Sequence, residues 1–286
     1  MKWTPGGESQ DVEDRRDEGG GGFEFGGIHI GIGGAIVLAI LSFVFHRNLF
    51  ALLGGSDDTG SSVASRPDPA RDQAEQPLVQ FVSFVLDDTQ KTWTQLLPEQ
   101  TQTPYHHAKL VLFRDFTQSG CGGAESATGP FYCPEDEKVY IDLGFYDELS
   151  QRFGAKGQFA QAYVLAHEIG HHVQKLVGIE ERVEQERESD PRAANPLSVK
   201  LELQADCFAG VWAHSTQQRG LLEKGDVESA LSAASAVGDD HLQKMTTGHV
   251  VPDSFTHGSS EQRMHWFTAG LNDGTVSACN TFGSSR

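Results

Sequence analysis

Val164-Leu165-Ala166-His167-Glu168-Ile169-Gly170-His171-His172 is the stretch on which the reading of this chain turns. Around it Ala162, Leu165, Ala166, Ile169, Val173 and Leu176 recur at helical spacing, which predicts a half-buried helix from about Gly157 to Leu176. Residues four apart share a helix face, so His167 and His171 can offer two imidazole nitrogens to one metal ion. Glu168 lies about 100° further round. From there its carboxylate reaches a water bound to the metal rather than the metal itself. His-Glu-x-x-His on such a helix is the start of a hydrolytic zinc site. A surface helix carrying two idle histidines is disfavoured, because histidines on a half-buried helix need partners. His172 points away from the ligand pair and is expected beside the site or at the surface. His106, His107 and His249 receive no role.

A catalytic zinc has three protein ligands and one open position. Glu202 is the third candidate, in Glu202-Leu203-Gln204-Ala205-Asp206, on a helix expected from about Pro196 to Gln218. Glu202 and Asp206 are four apart and share a face, while Ala205, Ala209 and Gly210 keep the helix slim enough to lie against the first. Asp206 is then placed to accept a hydrogen bond from the outer nitrogen of a ligand histidine, which fixes its tautomer. Acids beside Leu201, Ala205 and Phe208 are costly unless they coordinate or pair.

The chain has 286 residues, 38% of them hydrophobic, and a formal net charge of -18. That is room for one substantial domain plus appendages. The acidic balance argues against nucleic acid as a partner, since phosphate binding relies on clustered Lys and Arg. Residues 1–27 are polar, acidic and glycine-rich, and read as a disordered arm. Ile28 to Phe45 has only His29 and Ser42 as polar members; with His46 it reads as one transmembrane helix, 28–46. Seven acids precede it and no Ala-x-Ala follows, so an uncleaved anchor is preferred to a signal peptide. Residues 47–77 read as a flexible linker and 78–286 as the globular domain.

Arg15 and Arg16 before the run, against Arg47 after it, place the amino terminus in the cytoplasm by a narrow margin. The four cysteines suggest pairing, Cys121 with Cys133 and Cys207 with Cys279, and an oxidising compartment. The domain is therefore expected on the periplasmic or extracellular side of the cell membrane. Within it a helix is expected from Leu78 to Leu97, with strands at Lys109–Phe116 and Lys138–Leu143. Ser119 to Cys133 reads as a stapled loop, and Ile179 to Asn195 as a solvated excursion. Further helices are expected at Asp226–Lys244 and at Ser260–Leu271, the latter with a serine cap. The fold class is thus α+β, a small sheet with a helical zinc-binding core.

His167-Glu168-x-x-His171 followed by Glu202-x-x-Ala205-Asp206 resembles the gluzincin arrangement, as in the CAAX prenyl protease group. The chain is closer to the neutral zinc metallopeptidase family of bacterial single-pass membrane proteins. That likeness takes in Met1-Lys2-Trp3, Val12-Glu13-Asp14-Arg15-Arg16, Gly120-Cys121-Gly122, Tyr132-Cys133-Pro134, Val139-Tyr140-Ile141-Asp142-Leu143, Ala205-Asp206-Cys207 and Phe255-Thr256-His257-Gly258-Ser259-Ser260-Glu261-Gln262-Arg263. It departs at Lys2, where Arg is common, and at Thr4-Pro5-Gly6. The resemblance implies a zincin-like fold. In the prenyl protease group a His followed six residues later by Arg sits beside the zinc. His257 and Arg263 have that spacing, with Gly258 where Pro is common. By this resemblance His257 would donate to the oxyanion and Arg263 would hold nearby carboxylates.

The expectation is one Zn2+ per chain on His167, His171 and Glu202, with Glu168 as general base in the hydrolysis of a peptide or protein substrate. Lys138–Leu143 is expected to pair with an extended peptide at the cleft edge. Two other readings stand beside this one. One is a zinc-binding scaffold without catalysis, and the other a zinc amidase acting on a non-peptide amide of cell-wall material.

Overall fold

The computed structural model describes residues 1–18, 69–126 and 129–283. The proposed membrane segment 28–46 lies outside the described residues, and among those residues no helix is long and apolar enough to cross a membrane. The described chain is α+β. Its sheet has four strands in the order β1 (Val12–Asp14), β2 (Lys109–Phe113), β6 (Lys138–Asp142), β5 (Phe131–Cys133). β1, β2 and β6 run parallel, and β5 is antiparallel to β6. A two-stranded unit, β3 (Phe116–Ser119) with β4 (Gly122–Glu125), fills the passage between β2 and β5.

Side chains alternate across a strand, and here they divide between two cores. Leu110, Leu112, Val139 and Ile141 face the helices, while Val111, Phe113 and Tyr140 close a small cluster with Ala124 and Cys133. The expected strand Lys109–Phe116 breaks in two, because Asp115 takes a left-handed conformation, φ 59°, between β2 and β3. The expected peptide-pairing strand, β6, lies inside the sheet between β2 and β5. Over Lys138–Tyr140 its backbone is paired on both sides, which leaves only the part beyond Tyr140 without a β5 partner for an added peptide to meet.

The helices are α1 (Pro69–Thr101), α2 (Gly144–Gln151), α3 (Gln158–Leu176), α4 (Ile179–Ser189), α5 (Ala194–Gln218), α6 (Asp226–Ala236), α7 (Asp239–Thr247) and α8 (Ser260–Asp273). α8 begins with a full capping box of Ser259 and Gln262, in line with the expected serine cap. The long helix expected over Asp226–Lys244 divides into α6 and α7, since Gly238 adopts extended dihedrals of -70° and 141°. The segment Ile179–Asn195 is not a loose excursion. It holds α4, whose Val183 and Ile179 pack on Leu197 and Leu201 beneath a charged outer face.

Two boundaries move furthest from the sequence reading. α1 starts at Pro69, with Pro77 inside it, so residues 69–77 are helix and not linker. Residues 1–18 of the expected disordered arm are folded: Met1 and Arg16 are buried, and Val12–Asp14 pairs with Leu110–Leu112. The physical reason is the same in both cases. Asp72 and Glu75 have cationic partners 39 to 59 residues away, Arg114 and Arg16, which local composition does not reveal.

Cys121–Cys133 joins the start of β4 to β5, and Cys207–Cys279 joins α5 to the 3-10 turn at Val276–Cys279. Near the second bridge, α5 and α8 touch backbone to backbone. A Cβ on Gly270 would lie 2.0 Å from the Cys207 carbonyl oxygen, and one on Gly210 would lie 2.1 Å from that of Phe267. Gly270→Ala must push the two helices apart. It is expected to lower stability by at least ~2 kcal/mol in urea unfolding, and an unchanged midpoint would refute this contact.

Candidate metal centre

α3 carries the two histidines and α5 brings the acids to them. The helices approach closely where Gly170 meets Ala205, since a Cβ on Gly170 would sit 2.9 Å from the Ala205 carbonyl oxygen. Gly170 is one of the two unspecified positions in His-Glu-x-x-His, and its lack of a side chain lets α5 draw near. Glu202 then stands between the histidines, 3.2 Å from Nε2 of His167 and 3.5 Å from Nε2 of His171. One ligand atom from each of the three residues lies within 4.8 Å of the others. A tetrahedral zinc with bonds of about 2.0–2.3 Å sets neighbouring ligand atoms roughly 3.3–3.5 Å apart. The donor set therefore fits zinc in chemistry, and the two separations from Glu202 match that spacing.

Both histidines are held from behind. Asp206 accepts from Nδ1 of His167 at 2.9 Å, and the Gln174 side-chain oxygen accepts from Nδ1 of His171 at 2.9 Å. These contacts leave each Nε2 directed at the metal position. Gln174 in turn donates to the Leu201 carbonyl at 2.8 Å and to Gln204 at 3.1 Å, so α3 and α5 are tied at this level. The sequence reading placed Asp206 correctly and missed Gln174. The signal was present, because Gln174 lies one helical turn beyond His171 and faces the same way.

Asp206 has no solvent exposure and collects donors from two other helices. Tyr163 on α3 donates to its Oδ1, and Arg263 on α8 donates through Nε to Oδ2 at 2.8 Å and through Nη2 to Oδ1 at 3.0 Å. Burial alone would raise the Asp206 carboxyl, but Arg263 and His167 hold it below its ordinary value. Glu202 follows the same rule: burial works against its charge, while His171 and His167 bring it well below the usual range. Glu168 goes the other way, raised by burial in a place where the histidines only partly compensate. One acid of the group is thus kept ionised, and its neighbour holds a proton more readily.

His257 lies beside this group and not within it. Its side chain is 51% exposed, and Nδ1 is 3.2 Å from Asp239. It is close enough that its charge helps keep Glu202 ionised. Asp239, absent from the sequence reading, anchors the whole loop. Its Oδ2 accepts from the backbone N–H groups of Thr256 and His257 at 2.7 Å and of Gly258 at 3.1 Å. Burial depresses the imidazole of His257, and Asp239 with Glu202 more than reverses this, so its pKa is raised. No local pattern announces Asp239, which reaches His257 across 18 residues of chain.

His172 is buried and neutral, depressed to about 4 by desolvation. Its Nε2 lies 2.8 Å from the His106 carbonyl oxygen, to which it donates, so Nδ1 at 3.0 Å accepts from the Tyr132 hydroxyl. It joins α3 to β5 and to the approach to β2. His106 and His107 pair with Glu137 and Asp11, each at 2.6 Å, away from the metal position.

The model of the family described as "putative neutral zinc metallopeptidase" matches residues 1–282. The chain belongs to this family. Among similar proteins, the uncharacterized Escherichia coli (strain K12) protein YpfJ is 48% identical over 294 residues, covering 100% of both chains. The uncharacterized Mycobacterium tuberculosis (strain ATCC 25618 / H37Rv) protein Rv2575 is 43% identical over 204 residues, 68% of this chain and 67% of that protein. No solved structure matches the chain.

With no metal present, His167 is held protonated. Burial opposes its charge, but Asp206 and then Glu202 raise it to about 10. Metal and proton compete for Nε2, so zinc binding at pH 7–9 is expected to release about one proton from this ring, and affinity should fall about tenfold per unit drop in pH. Titration calorimetry in two buffers of different ionisation enthalpy measures the proton count; a value of zero would contradict the geometry. In the same assay Glu202→Ala should abolish binding and Asp206→Asn should weaken it by about 10 to 100 fold. Equal, small losses in both variants would point to a different third ligand.

Proposed function

We propose that the protein is a zinc-dependent peptidase with a zincin-like (gluzincin) site, in which His167, His171 and Glu202 hold one Zn2+. The observation that carries this reading is the three-residue donor set with an unligated, buried glutamate beside it. A structural site would be closed by four ligands and would have no use for Glu168, whereas among the described residues the group has three. Bound there, zinc supplies a Lewis acid that polarises the scissile carbonyl and acidifies water at the open position.

The protein's own residues supply the rest. Glu168, with its raised affinity for a proton, takes one from the attacking water and passes it to the leaving amine. Asp206, Gln174 and Arg263 fix the ligand imidazoles and keep the first of them from rotating. His257, whose charge already bears on Glu202, is the donor we assign to the developing oxyanion, and such preorganised donors contribute strongly in hydrolases. Its Nδ1–H is committed to Asp239, so only the imidazolium can donate from Nε2. The two disulfides fit an oxidising compartment, which favours a domain acting outside the cytoplasm on peptide or protein substrates.

Glu168→Gln tests the reading directly. The variant should keep its zinc and lose at least ~100-fold in turnover on a broad peptide library; near-normal turnover with zinc bound would remove Glu168 from the mechanism. If the zinc-loaded native protein cleaves no peptide but opens cell-wall amides, the amidase reading takes its place. Asp239→Asn should leave zinc content unchanged. Because Asp239 raises the pKa of His257, its loss should move the basic limb of kcat/KM to lower pH, and an unmoved limb would exclude His257 as a charged donor.

A further inference from the structure

We propose that residues 1–18 are a structural part of the domain that carries the metal centre, and that they lie with it on the same side of any membrane the chain meets. Three separate sets of contacts carry this. Met1 is buried in the main core, the Lys2 N–H donates to the Leu221 carbonyl at 2.7 Å, and Trp3 packs on Phe81 and Phe84. β1 completes the parallel sheet, with the Leu110 N–H donating to Asp11 and the Arg15 N–H to Leu112, both at 2.8 Å. Charged side chains then lock it: Lys109 meets Asp11 at 2.6 Å, and Lys138 meets Glu13 at 2.8 Å.

The third set lies where the described chain stops near residue 18 and resumes at Pro69. Arg16, 5% exposed, binds Asp14 at 2.7 Å and Glu75 at 2.8 Å. Arg114, 8% exposed, binds Asp72 at 2.6 Å and Glu75 at 2.8 Å, and Nη1 donates to the Arg16 carbonyl at 3.4 Å. Two buried guanidiniums thus clamp the exit to the return, with Glu75 shared between them. Pulling the first segment away would strand these charges in the protein interior.

A chain crossing a bilayer once between residues 18 and 69 would put β1 and β2 on opposite faces. Ile28–Phe45 is long enough for one crossing, but the longest apolar run after it, Leu49 to Leu53, is too short for a second. The contacts therefore require residue 18 and Pro69 to lie on one side. If the disulfides place the domain outside the cytoplasm, the first eighteen residues are outside with it, which reverses the orientation read from Arg15, Arg16 and Arg47. The inference does not depend on the site being catalytic.

The full chain tests it without truncation. Thr4 is exposed and the Arg192 side chain is 93% exposed, while all four native cysteines are in disulfides. Thr4→Cys and Arg192→Cys would each carry one reactive thiol. A membrane-impermeant maleimide, applied to intact and then to permeabilised cells, is expected to label both variants in the same condition. Labelling in opposite conditions would overturn the proposal. On the unmodified protein, a zero-length carbodiimide should join Lys109 to Asp11 or Lys138 to Glu13 within one chain, as mass spectrometry would show. Same-side labelling with neither amide formed would overturn the docking of β1.

Discussion

The centre depends on one fully buried carboxylate. Asp206 sits where α3, α5 and α8 meet, and its charge is balanced by Arg263 in a two-point contact. Taking a carboxylate out of water costs several kcal/mol, so this group is stable only if every lone pair is used. Tyr163, His167 and Arg263 use them. The requirement runs outward from there: α8 must come close enough for Arg263 to reach, and α3 must present Tyr163 and His167 one turn apart. The ion pair organises three helices, and the orientation of one metal-facing imidazole follows from it.

Removal of side chains where helices cross makes this arrangement possible. At Gly170 the space vacated admits Ala205, which brings Glu202 to the histidines. Glu202 and Glu168 then differ in proton affinity, because Glu202 has both imidazoles against it, whereas Glu168 is buried with no hydrogen-bond partner among the described residues. Environment separates the proton affinities of two chemically similar acids.

Much of this was legible in order along the chain. His167, Glu168 and His171 declare themselves by spacing, and Glu202 with Asp206 by a shared face and slim neighbours, since those constraints are local to one helix. Both cysteine pairs were also readable, from count and compartment. Gln174 and Asp239 were not found, because each acts through a contact to another element. The same holds for β1, whose three residues look like disordered acidic sequence until Arg114, Lys109 and Lys138 are brought alongside. Pro77 hid the start of α1, for a proline in a helix interior ordinarily ends or kinks it, whereas here the helix runs on through it. Helix periodicity survives in a single sequence; charge pairing over distances of 59 to 125 residues does not.

The backbone contact between α5 and α8 has a mechanical consequence. At Gly210 and Gly270 there are no side chains to rearrange, so the helices have no soft layer on which to slide. Cys207–Cys279 fastens the same region covalently. Glu202, Asp206 and Arg263 therefore travel as one stiff body. α4 is attached differently, for it rests on α5 through a small cluster of Val183, Ile179, Leu197 and Leu201. A helix held by so few buried apolar contacts opens at lower cost than the α5–α8 seam, so hydrogen exchange is expected in α4 before it reaches the helices around Asp206.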